Sequence, residues 1–175
     1  MKKIIIYVSG NDRVGIISDI TKVISEFNGN IETSKMIKLS QDFNMLILAS
    51  IPEQNFDELE KKLLSYKNLS ITLKKAELFK MNKKKEFIFI LKGADNEGIV
   101  HNCTKLFNKL NINVIDLETK ILNAPITGSP LFYIKAIIYL TDINILDTLK
   151  QKIILIENEN NVVIKLIQNN GGSNH

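Results

Sequence analysis

The chain contains one segment twice. Ser9-Gly10-Asn11-Asp12-Arg13-Val14-Gly15-Ile16-Ile17 returns as Lys92-Gly93-Ala94-Asp95-Asn96-Glu97-Gly98-Ile99-Val100, displaced by 83 residues. The correspondence continues without a gap through Thr21/Thr104, Lys22/Lys105, Asn28/Asn111, Asn30/Asn113 and Ile31/Val114. A single repeat at about the length of a small domain means two copies of one fold. In each copy a glycine-containing loop joins an apolar run to an amphipathic one, a place where small anions dock. The expected division is a first domain over 1–80, a linker over 81–86, a second domain over 87–168 and a disordered tail over 169–175. Each copy alone supports only a modest core, so the copies should bury surface against each other or against a second chain.

Periodicity supplies the elements. Ile4 to Val8 is a short continuous apolar run that reads as a buried strand. Gly10 ends it, and Asn11 or Asp12 can cap the helix that follows. Ile16, Ile17, Ile20, Val23, Ile24 and Phe27 recur at helical spacing. Asn28-Gly29-Asn30 stops that helix, and Ile31–Leu39 and Asn44–Ile51 read as strands joined at Ser40-Gln41-Asp42. Phe56, Leu59, Leu63 and Leu64 mark a second helix, and Ile71–Phe79 a last strand. The second copy repeats this order. Phe87–Leu91 is a strand, and Ile99, Val100, Cys103, Leu106, Phe107 and Leu110 are a helix stripe. Strands follow over Val114–Leu122 and Leu131–Leu140, then a helix from Ile145 to Ile156 with Asp142 as a candidate cap, then a strand over Val162–Ile167. The order βαββαβ, twice, predicts an α+β chain of two tandem ferredoxin-like units. Their open sheet faces and edges call for pairing, so a homo-oligomer, a dimer first of all, is expected.

Composition narrows the function classes. The net charge of +4 is shared evenly between the halves, and Lys83-Lys84-Lys85 between the repeats is the densest basic run. That distribution argues for a solvated linker and against direct nucleic-acid binding. Cys103 is the only cysteine, and it falls on an apolar helix face, so a buried, inert thiol in a reducing compartment is expected. Ile4 to Val8 is too short for a signal peptide, and no apolar stretch is long enough to span a bilayer. A cytoplasmic protein without membrane attachment follows. With only His101 and His175, no metal cluster and no Ser/His/Asp arrangement can be assembled. Neither catalysis nor a cofactor is expected.

The candidate site is the loop itself. Glycine lets a ligand approach the backbone, and the following helix offers unpaired N–H groups and a positive dipole end. A carboxylate fits there, and Asp12 could pair with an ammonium group; alternatively Asp12 only caps the helix. Arg13 is the only arginine in the chain and carries a planar fork suited to a carboxylate. The second loop has Asn96 at that position and Glu97 beside it, so the loops are not chemically equivalent. Asn30 and Asn113 stand where each first helix gives way to a strand; they either adopt a left-handed turn or reach a ligand at the neighbouring loop.

Gly10-Asn11-Asp12-Arg13-Val14-Gly15-Ile16-Ile17, then Thr21, then Asn30-Ile31, resembles the start of an ACT domain. The second copy is similar through Gly93, Asp95, Gly98-Ile99-Val100, Thr104 and Asn113-Val114. Asp116-Leu117-Glu118-Thr119 followed by Ala124-Pro125-Ile126-Thr127-Gly128-Ser129-Pro130-Leu131-Phe132 resembles the second ACT domain of the glycine cleavage system transcriptional repressor family. The resemblance implies amino-acid sensing, glycine included, by paired ACT units that act through a separate transcriptional activator. It places ligand between units, at Asn11, Asp12, Arg13, Val14, Gly15, Ile16, Asn30, Ile31 and Glu32 of the first copy. In the second it implies Asn96 to Ile99, Gly98 included, and Asn113. This chain departs from the family's usual proline at Val14 and Glu97 and usual arginine at Asn96.

Overall fold

The computed structural model describes residues 1–77, 85–123 and 130–169. They form two compact units, one from the residues up to 77 and one from residue 85 onward. In the first, β1 (Lys2–Asn11), α1 (Ile16–Glu26), β2 (Asn30–Leu39), β3 (Asp42–Ile51), a short 3-10 turn (Glu53–Asn55), α2 (Phe56–Leu64) and β4 (Leu69–Lys75) follow in order. The second contains β5 (Lys85–Gly93), α3 (Ile99–Lys109), β6 (Asn113–Asn123), β7 (Pro130–Leu140), α4 (Ile145–Asn160) and β8 (Val162–Gln168). The sheets run β2-β3-β1-β4 and β6-β7-β5-β8. All pairings are antiparallel. This is the α+β, twofold βαββαβ architecture expected.

Alternation along the central strands explains each core. Ile4, Ile6 and Val8 point inward from β1 against Ile16, Ile20, Val23 and Ile24 of α1 and Leu59 and Leu63 of α2, all buried. Phe87, Phe89 and Leu91 do the same in the second unit against Ile99, Cys103 and Phe107. Where the first unit places Ile6 and Ile24, the second places Phe89 and Phe107, whose rings meet edge-on at 5.1 Å. Burial pushes the Cys103 thiol up to about 11, which keeps it protonated and unreactive.

The duplication extends to fine detail. Register slips by one residue at Glu32 in β2 and at Ile115 in β6, the same repeat position, so both edge strands carry a bulge there. Both edges are exposed and apolar: Met36, Ile37 and Leu39 on β2, and Ile115, Leu117 and Ile121 on β6. Such edges call for cover.

Several expected boundaries move. Lys85 and Glu86, expected in the linker, belong to β5, because their alternation continues the strand. Asn169, expected in a disordered tail, donates its backbone N–H to the Glu86 carbonyl at 2.9 Å and its side-chain amide to the Glu86 carboxylate. The strand expected over Ile71–Phe79 runs from Leu69 and ends at Lys75. Phe79, the remaining linker residues, the Ala124–Ser129 stretch and residues 170–175 lie outside the described residues. Asp142 accepts the N–H of Asn144 at 2.9 Å and so shapes the entry to α4, while Asn144 holds the cap position.

Candidate functional site

The loop between β1 and α1 is built by two glycines with different tasks. A Cβ on Gly10 would lie 2.9 Å from the Asn68 carbonyl oxygen and 2.9 Å from Leu69 Cδ2. Gly10 is therefore a packing glycine that lets β4 approach β1. Gly15 holds the α1 cap position at φ 94° with no side-chain cap bond. Its left-handed turn leaves the space above almost open, the nearest atom to an added Cβ being Arg13 Nη1 at 3.7 Å.

Neither Asn11 nor Asp12 caps the helix. Asn11 ends β1 opposite Asp42. Asp12 donates its N–H to the Gln41 carbonyl at 2.8 Å and accepts Lys38 Nζ at 2.5 Å, which ties the loop to the β2–β3 turn. The cap position falls to Gly15, three residues on, and Asp12 faces the hairpin. Arg13 folds back over the helix start, reaching Asp19 Oδ2 at 2.7 Å and the Val14 carbonyl at 3.3 Å. Val14 is 99% exposed at the tip, whereas Ile16 is buried and contributes only backbone.

These residues wall a hollow of about 580 Å³ that also takes in Ser18 and Thr21 of α1, Met36 of β2 and Phe43 of β3. Its lining brings together Arg13, the uncapped start of α1 and Asp12, with Met36 and Phe43 as an apolar part of the wall. A cation and a carboxylate facing a small hollow are what an amino-acid zwitterion needs. A second hollow of similar volume lies beyond Gly10, walled by Asp42, Asn44, Lys67 and Asn68. Asp12 to Ile16 do not line it; its own carboxylate and cation, Asp42 and Lys67, come from β3 and the turn between α2 and β4, with no helix N-terminus beside them.

The remaining expected residues lie elsewhere in the unit. Asn30 opens β2 opposite Ser50, Ile31 packs on the core, and Glu32 is the bulge residue, held by Lys3 Nζ at 2.7 Å. Lys38, at the loop, is eight residues further along β2, about 25 Å away at strand rise. Within one unit these groups do not meet; a site using both draws one half from another copy. The left-handed residues at the helix exits are Asn28 (φ 55°) and Asn111 (φ 51°), not Asn30 and Asn113. Each helix closes with a Schellman turn, Gly29 N–H to Ile24 at 2.8 Å and Ile112 N–H to Phe107 at 2.8 Å, and that turn places the asparagine two residues earlier than expected. Asn113 opens β6 opposite Tyr139.

The second loop is closed by its own contacts. Asn96 donates its side-chain amide to the Asn160 carbonyl at 2.5 Å, pinning the loop to the end of α4. Ile99 N–H returns to the Asn96 carbonyl at 3.2 Å; among the described residues no matching bond runs from Ile16 to Arg13. Gly98 caps α3 at φ 77° with nothing within 4 Å of an added Cβ. Asp19 and Lys38 were not foreseen as site residues. A signal was present in the repeat: at the 83-residue offset, Arg13, Asp19 and Lys38 become Asn96, Asn102 and Ile121, so three charges disappear together.

Fold and loop together define a tandem of two ACT-like ferredoxin units. Residues 2–74, the span of the first unit, match the ACT domain family model. A protein of unknown function from Galdieria sulphuraria aligns over 96% of this chain and 98% of its own, with a TM-score of 0.85 and 27% identity. A candidate glycine cleavage system transcriptional repressor aligns over 96% of this chain and 98% of its own, with a TM-score of 0.66 and 18% identity, which is a likeness of fold. A UPF0237 protein of Methanosarcina mazei is 42% identical over 55 residues, 31% of this chain. The chain spans 60% of the length of that curated relative and of its Methanosarcina acetivorans counterpart. No described helix is long and apolar enough to cross a membrane. No group of three or more His, Cys, Asp or Glu among the described residues could hold a metal ion.

Proposed function

We propose that the chain is a non-enzymatic, cytoplasmic regulator that binds a small amino acid at the β1–α1 loop of its first unit and passes that state to a partner protein. The observation that carries this reading is the hollow whose lining brings together Arg13, the uncapped helix start and Asp12. Arg13 and the helix N–H groups hold the carboxylate, and Asp12 holds the ammonium. A neighbouring copy supplies Asn30 to Glu32 across a paired edge, which makes the working form an oligomer, a dimer in the simplest case. Because pairing and binding then share residues, ligand shifts the paired state it prefers. Glycine as the ligand and a transcriptional activator as the partner follow from the family resemblance of the sequence.

One observation favours a different reading, a purely structural interaction module. Arg13 and Asp12 are already paired with Asp19 and Lys38, so the loop is electrostatically satisfied without a ligand. A thermal-shift screen of the full chain against the free amino acids separates the two. A true ligand at about 100 times its Kd adds roughly 2.7 kcal/mol, and the Arg13→Asn variant must lose that response. No shift with any amino acid leaves the structural module standing.

A further inference from the structure

Helix α4 is longer than its counterpart and carries more apolar surface than it buries. It has 16 residues against nine in α2, an extension of about 10 Å at helical rise. Leu149, Ile153 and Ile156 face the core, yet Ile154 and Leu155 stand about half exposed. Between α3 and α4 lies a groove of about 360 Å³ whose floor includes Leu110, Leu155 and Ile156 and whose rims carry Lys105, Lys109 and Lys152.

The charge on this face is peculiar to the second unit. At the 83-residue offset, Asp19, Lys22 and Glu26 of α1 correspond to Asn102, Lys105 and Lys109 of α3. In the first unit Lys22 and Glu26 neutralise each other at 3.7 Å. In the second, all three groove lysines are exposed, and none has an ion-pair partner among the described residues. Glu159 is the only carboxylate lining the groove. Lys105 and Lys109, one helical turn apart on α3, and Lys152 on α4 leave the apolar trough with three cations against one carboxylate, which matches an amphipathic helix with carboxylates beside its leucines.

We propose that the α3–α4 groove docks an acidic amphipathic segment of a partner protein. The apolar floor and the carboxylate at one end disfavour a nucleic-acid backbone, and the concave shape disfavours a lipid surface. The proposal does not depend on amino-acid binding at the first loop.

The test uses the full chain and a fluorescein-labelled synthetic peptide roughly five helical turns long, with leucines at helical spacing flanked by glutamates, read by anisotropy. The wild-type chain is expected to bind it and to ignore the same peptide with lysines for glutamates. Lys105→Glu/Lys109→Glu/Lys152→Glu should weaken binding by roughly tenfold or more, and the matching glutamine triple variant by less. Leu155→Ser should weaken it several-fold without changing charge, whereas Lys22→Glu in the first unit should not matter. Amide chemical-shift changes must map to α3 and α4, and variant spectra must retain native dispersion. Unchanged binding by the triple variants or by Leu155→Ser overturns the proposal. So does no peptide binding, or lysine-dependent binding of duplex DNA or phosphatidylserine vesicles in its place.

Discussion

The two β–α loops share a backbone and differ in what their side chains are doing. Both turn through a left-handed glycine into an uncapped helix, at φ 94° and 77°. In the first, Arg13 and Asp12 stand in exposed ion pairs around a hollow. In the second, Asn96 spends its amide on the end of α4 and its carbonyl on Ile99. Exposed pairs contribute little to stability and exchange readily for a ligand's charges; a part-buried amide bond does not. Duplication thus preserved the turn in both units, while the polar groups of the first loop stand in exposed ion pairs and those of the second in a part-buried amide bond.

The largest test of that division addresses the packing glycines. A Cβ on Gly93 would lie 2.5 Å from Val162 Cγ1 and 2.8 Å from Val162 Cα, against a stiff β-branched residue and backbone. Gly10 faces a carbonyl and the movable end of Leu69. Gly93→Ala should cost about 3 kcal/mol and Gly10→Ala nearer 1–2 kcal/mol. Because two units need not melt together, amide exchange at β5 and β1 is the readout. Equal losses would show that the units pack this junction alike.

Exchanging the loop chemistry comes next. Arg13→Asn copies the second loop into the first and should lower amino-acid affinity roughly ten- to hundredfold, with little change in melting. The reciprocal Asn96→Arg should create no binding. It strands the Asn160 carbonyl and should cost the second unit about 1 kcal/mol. Calorimetric titration checks both. Binding gained by Asn96→Arg would mean that arginine alone makes the site, without Asp19 and Lys38.

A smaller effect probes the shared turn. Gly15→Ala and Gly98→Ala place an L-residue at positive φ and should each cost about 1–2 kcal/mol. Gly98 has open space around it and Gly15 only a distant guanidinium, so the two losses should agree closely in denaturant titrations. A clear excess at Gly15 would mean that the Arg13 contact, not the turn, sets the cost.

Periodicity and the repeat made the architecture legible because they record burial, and burial governs the strands and helices here. Ile4, Ile6 and Val8 alternate and are buried, and Ile16, Ile20, Val23 and Ile24 of the helical stripe are buried while Ile17 beside them is exposed. The polar details were less legible. Whether Asp12 caps a helix or reaches Lys38 depends on where a hairpin turn sits in space, and no local spacing records that. Asp19 and Lys38 were visible only through the joint loss of charge in the other copy. The two glycines look alike in a string; the approach of β4 separates them.

The smallest expected effect concerns the helix exits, where composition alone left the asparagines interchangeable. Asn28 and Asn111 carry the positive φ, and asparagine tolerates it better than alanine does. Asn28→Ala and Asn111→Ala should each cost about 1 kcal/mol. Asn30→Ala and Asn113→Ala, at exposed strand starts, should stay within about 0.5 kcal/mol. Chemical denaturation in the absence of amino acids reads these differences without interference from binding. If Asn30→Ala alone then weakens ligand response while leaving stability intact, its role lies across a paired edge. If it weakens neither, the first loop binds without help from a neighbour, and the difference between the units rests entirely on Arg13, Asp19 and Lys38.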